Sequence, residues 1–167
     1  MVPDMLFQVK ALGSDYELRG CVHHGRIPEH EAVPDYAFNG PYPIAPAFPF
    51  SMAARLMSLG LQKILQGNLG EKDRIEWVPC WVFQGDQRVP YVIPIVLAPP
   101  PRLHPALSTF DQNGRPIRWV LDGDDLAGRH VIAALGRDQG LVVSEPVKAE
   151  IERQNLVGVD WMTARVA

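Results

Sequence analysis

The chain has 167 residues, 47% of them hydrophobic and 21% charged, which is the length and make-up of one domain with a buried core and argues against disorder or two thin domains. A formal net charge of -3 gives no general attraction to phosphate backbones or anionic membranes, so neither nucleic acid nor membrane is an expected partner; mild acidity would suit a basic protein partner.

Two cysteines, Cys21 and Cys80, are too few for a disulfide scaffold and read as reduced, buried thiols. The first residues, MVPDMLFQVK, have neither a basic start nor an apolar run of signal-peptide length, and no run of about 18 apolar residues occurs, so the cytoplasm is the expected location.

Proline is the compositional outlier: of sixteen, all but Pro3 and Pro146 fall within Pro28–Pro49 and Pro79–Pro116. The first of these stretches holds Tyr36, Phe38, Tyr42, Phe48 and Phe50, too many aromatics for a solvated linker, so residues 25–50 are expected to form a long loop packed on the core. Ser51 is a favoured N-cap, and Met52, Leu56, Leu59 and Ile64, widened by Met57, Leu61 and Leu65, predict a helix over 51–66 that ends at Gly67.

RIEWVPCWVF and RVPYVIPIVLA are apolar on both faces and flank Gln84-Gly85-Asp86-Gln87, the pattern of a central hairpin with Trp77, Trp81, Ile75 and Phe83 on one packed face. Pro79, Pro90 and Pro94 cannot donate to a ladder, so each is expected at a bulge or strand end. Further on, RPIRWVL reads as a strand, DGDDLAG as a turn, and HVIAAL and LVV as short strands around Gly136–Gly140. The pattern around Trp119 assigns it to neither core nor surface. Ser144 with Pro146 opens a second helix over 145–155, stopped at Asn155, and VGVDW is expected to close the fold as a strand with Val157, Val159 and Trp161 on one face. The expected class is α+β, a single domain with a mainly antiparallel sheet, two principal helices and long Pro-rich loops.

Candidate chemistry is sparse. Cys21, His23, His24 and His30 form the only soft-donor cluster, with Cys80 more distant; they lack paired zinc spacing, and His23 and His24 on a strand would point to opposite sides. No nucleophile elbow, P-loop or dinucleotide fingerprint is present. Acidic clusters occur at Glu29, Glu31 and Asp35 and at Asp122, Asp124 and Asp125; the second lacks the later Glu of a calcium loop, and both fit turn chemistry.

The C-terminal third runs through Asp125, Leu126, Gly128, Val142, Val143, Ser144, Glu145, Leu156, Gly158, Val159 and Trp161. That pattern resembles the ending of a bacterial family of polymorphic-toxin immunity proteins, immunity protein eleven, and YVIPIVLA resembles the strand that precedes it, so the resemblance spans about residues 88–162. It implies a non-enzymatic protein, without cofactor or metal, that binds a cognate toxin stoichiometrically. Its motif residues read as scaffold, and a resemblance of that kind transfers fold better than mechanism. A related group carries paired Cys-x-x-Cys motifs that this chain lacks, so no metal is implied. Partner contacts are expected from Tyr36, Phe38, Tyr42, Asp122, Asp124 and Asp125. The competing expectations are a metal-binding protein or hydrolase built on Cys21, His23, His24 and His30, and a general interaction module of a secretion system.

Overall fold

The computed structural model describes residues 8–38, 40, 46–49, 51, 54–133 and 141–167. In chain order the elements are β1 (Lys10–Ala11), α1 (Tyr16–His24), β2 (Tyr36–Ala37), β3 (Met57–Ser58), α2 (Leu59–Gly67), β4 (Ile75–Gln84), β5 (Gln87–Val96), β6 (Thr109–Phe110), β7 (Pro116–Arg118), α3 (Gly123–Leu126), β8 (Val131–Ala133), β9 (Leu141–Val143) and α4 (Glu145–Arg153). The chain is an α+β domain around a sheet of order β1-β2-β4-β5-β3, in which only the β2–β4 pairing is parallel.

The β4–β5 hairpin is its spine. Gly85 supplies a φ of 58° at the first turn position, where a side chain would be strained. Contrary to the expected interruptions, the register runs unbroken from Gln84↔Gln87 to Ile75↔Val96. A two-residue turn closes on a hydrogen-bonded pair, and the pairs alternate outward from it. Trp81↔Pro90, Pro79↔Val92 and Trp77↔Pro94 therefore all fall on non-hydrogen-bonded positions. The missing N–H of each proline faces away from the hairpin partner, so the three prolines cost this ladder nothing.

Both faces of the hairpin are covered. Cys80 and Val82 join Tyr91, Ile93 and Ile95 on one face, packed with Leu18 of α1 and with Tyr36, Phe38 and Leu56. Val92 and Met57 lead the other, against Leu61, Ile64 and Leu65 of α2, Val131 of β8, and Val147 and Ile151 of α4. Each fully buried aliphatic side chain contributes about 1.5–3 kcal/mol of transfer free energy, so this two-layer burial carries most of the fold. Trp77 joins the second layer and its indole N–H donates to Gln66 Oε1, but Trp81 turns outward with the Arg88 guanidinium 3.9 Å above its ring. The packed face shared by Trp77 and Trp81 thus ends before Trp81.

The first principal helix starts later than its hydrophobic stripe predicts. Ser51 closes a local turn instead, its Oγ accepting the Ala54 N–H at 3.1 Å, and Met57 and Ser58 extend as β3 along β5. Ser58 is the N-cap, its Oγ accepting the Leu61 N–H at 3.2 Å. The open edge of β5 takes the residues that a longer helix would have used. Asn68 closes α2, its Nδ2 donating to the Ile64 carbonyl at 2.8 Å. Helix α1 has no counterpart among the predicted elements. It is amphipathic only through Leu18 and Cys21, and ends at Gly25, whose φ is 61° and where a Cβ would stand 2.8 Å from the Val96 carbonyl oxygen.

The residues 25–50 contribute buried Pro28, Tyr36, Phe38, Pro46, Ala47 and Pro49, as a packed loop should; Tyr42 and Phe50 lie outside the described residues. The two expected short strands form as β8 and β9 and pair antiparallel, with residues 134–140 between them outside the described set. α4 spans Glu145–Arg153, within the predicted range. VGVDW forms no strand: Asn155 and Gly158 take φ values of 50° and 88°, which turn the chain, while Leu156 and Val159 pack into the second layer. Val157 is 43% and Trp161 37% exposed, not paired on an inward face.

Candidate interaction surface

Beyond the central sheet, residues 99–122 build a small satellite of their own. Ser108 is buried at 7% exposure, and its Oγ both accepts the Val120 N–H at 3.0 Å and donates to the Val120 carbonyl at 3.2 Å. Leu121, fully buried, bridges to Leu103 on one side and Val166 on the other, and Gly123 N–H donates to the Ala167 carbonyl at 2.7 Å. The last residues of the chain are thereby stitched to this satellite.

From this anchored base projects a ribbon, β6 paired antiparallel with β7 and bulged between Thr109 and Phe110. Its turn is fixed from within: Asp111 Oδ1 accepts the N–H groups of Asn113 and Arg115, each at 2.8 Å, and Gly114 takes a φ of 75°. A two-stranded ribbon is marginal by itself, and these contacts offset that weakness. Every strand residue is exposed, with Phe110 at 46% and Ile117 at 71%. Beside β7 an open groove of about 280 Å³ is lined by Ile117, Arg118 and Trp119 on one side and Thr163 and Arg165 on the other. Trp119, ambiguous by sequence pattern, is half-buried and belongs to this groove.

The residues predicted to meet a partner lie elsewhere. Tyr36 is fully buried and Phe38 is 2% exposed, both in the first packed layer, so neither is available at the surface as expected; Tyr42 lies outside the described residues. The Asp122, Asp124 and Asp125 cluster is largely occupied by internal contacts. Asp122 caps α3, its Oδ1 accepting the Asp124 N–H at 3.1 Å, and its Oδ2 stands 3.3 Å from Arg102. Asp125 accepts the Arg102 backbone N–H at 2.9 Å and lies 3.6 Å from both the Arg102 and Arg129 guanidinium groups. That backbone hydrogen bond first, and then the Arg129 and Arg102 charges, hold its carboxyl below the usual carboxylate range. Only Asp124 faces solvent.

The soft donors do not converge either. His23 and His24 sit on the exposed last turn of α1, not on a strand, with ring centroids 4.8 Å apart, while Cys21 of the same helix is buried in the core. Among the described residues no three His, Cys, Asp or Glu side chains gather around a common position. Cys80 lies within the first layer, where burial pushes its thiol up to about 12, far from the range of a working nucleophile. Among the described residues no helix is long and apolar enough to cross a membrane. The chain matches no protein-family model and no curated protein.

Proposed function

We propose that this chain is an immunity-type protein that binds one cognate bacterial toxin stoichiometrically and silences it by covering the surface the toxin works with. The observation that carries this reading is the β6–β7 ribbon, an internally fixed hairpin that holds Phe110 and Ile117 in solvent beside an Arg-lined groove. A prefolded element loses little conformational freedom on docking, and aromatic and Arg side chains are those on which interface energy concentrates.

The sequence resemblance supports the same reading, with its motif residues acting as frame. Asp125 ties the loop at Arg102 to α3, Ser144 bonds His130 Nδ1 at 2.7 Å, and Leu156 and Val159 pack behind α4. Co-expression with the product of the neighbouring reading frame, where the proposal expects the toxin, tests it: growth should be restored and a one-to-one complex should survive gel filtration. Continued toxicity with no complex would reject it.

A further inference from the structure

Resting on that reading of the ribbon face as a docking surface, we infer that the groove between β7 and the C-terminal segment receives an acidic, apolar-flanked segment of the partner protein, carboxylates against Arg118 and Arg165 and apolar side chains against Ile117 and Trp119. The chain as a whole carries a charge of -3, yet the charged lining of this groove is two arginines and no acid. Neither arginine makes an ion pair among the described residues, and both are exposed. Two nearby acids are held by internal contacts, Asp111 by the ribbon turn and Asp122 by Arg102, and neither Asp124 nor Asp160 lines the groove.

A guanidinium presents a planar fork of donors that matches a carboxylate, and the groove's about 280 Å³ suits one or two side chains of a polypeptide better than an enclosed small molecule. The local charge therefore reverses the preference for a basic partner that total charge implies. Like charges at the groove would repel a basic segment, which adds discrimination.

The test is fluorescence anisotropy of the full chain with a short labelled peptide alternating Glu with Val and Tyr, against the same peptide with Lys in place of Glu. The acidic peptide should bind about tenfold or more tightly than its counterpart, lose affinity as salt rises, and lose about tenfold with the Arg118→Glu/Arg165→Glu double variant. Arg153→Glu, on α4, should leave binding unchanged. Equal binding of both peptides, an unaffected double variant, or full displacement by inorganic phosphate at constant ionic strength would overturn the inference. So would self-association abolished by the same double variant, which would assign the groove to a second copy. If the double variant still protects against the toxin in full, this inference fails and the immunity reading stands; peptide binding as described with no toxin neutralised supports the groove and rejects immunity.

Discussion

The Asp73 carboxylate accepts the backbone N–H of Val131 at 3.0 Å across 58 positions of chain, and the same oxygen takes the N–H groups of Gly70 at 2.7 Å and His130 at 2.9 Å. Asp73 is 4% exposed, so it joins the α2–β4 connection to the start of β8 from inside the protein. The two segments come so close that a Cβ at Gly70 would collide with the Gly128 carbonyl oxygen. Asp73→Ala leaves three donors without their partner, and unsatisfied buried groups cost about 1–3 kcal/mol each. Only the Val131 donor is fully buried and the second carboxylate oxygen of Asp73 has no partner of its own among the described residues, so the expected loss is about 1–3 kcal/mol, a melting temperature lower by about 2–12 °C. Asp73→Asn retains an acceptor oxygen and should fall between. An unchanged thermal melt for Asp73→Ala would remove this role.

The Gly25→Ala variant tests the end of α1. Its φ of 61° and the Val96 carbonyl 2.8 Å from the added carbon both oppose the substitution. A left-handed conformation alone costs a non-glycine residue about 1–2 kcal/mol, so urea unfolding should show at least that loss. Gly85→Ala meets no neighbour within 4 Å and should cost only the conformational part.

Burial holds the Cys80 thiol at about 12, so at pH 8 its thiolate fraction is on the order of one in ten thousand. Cys21 is equally enclosed at 3% exposure. Native protein should react negligibly with Ellman's reagent and release two equivalents in denaturant. Rapid native labelling of either thiol would contradict the packing described.

Acid should release the exposed Glu150–Arg153 pair on α4, with little effect on the stability of the whole chain. Arg153 hydrogen-bonds Glu150 through two contacts, at 3.0 and 2.7 Å, and with Gln154 it holds the Glu150 carboxyl near about 2. A carboxyl whose folded value is depressed stabilises fully above its unfolded value of 4.5 and loses that contribution as pH falls toward about 2. NMR titration of Glu150 should follow this window, and Arg153→Ala should move the carboxyl back up. A Glu150 midpoint unmoved by that variant would show the pair to be unformed in solution.

The fold is most legible in the sequence where chemistry is local. The Gln84–Gln87 turn between two β-rich apolar runs specifies its hairpin nearly alone; α4 begins where Ser144, Glu145 and Pro146 place it, but the Ser144 hydroxyl pairs with His130 Nδ1 and makes no cap hydrogen bond. The prolines mislead because their effect depends on ladder parity: Pro90 and Pro94 lie opposite Trp81 and Trp77, and Pro79 itself shares that parity on β4. Ser51 and Ser58 are equally good caps in isolation, and only the open edge of β5 chooses between them. Tyr36 and Phe38 look like surface anchors in a Pro-rich loop because nothing local tells that β2 enters the sheet beside β4. Of the ribbon, β7 falls inside the predicted strand RPIRWVL but is only three residues long, while the two-residue β6 leaves no periodic signal, and the exposure of both follows from what fails to cover them.

Growth on co-expression with a growth-inhibiting product of the neighbouring reading frame, compared between wild type and Ile117→Asp, puts the proposed immunity reading and its docking surface to the sharpest trial. Ile117 is 71% exposed, so the substitution should leave the melting temperature unchanged while placing a charge at the ribbon's apolar centre. Rescue by wild type and its loss in the variant are expected. Full rescue by Ile117→Asp, with the fold intact, would refute the ribbon as the surface that meets the toxin.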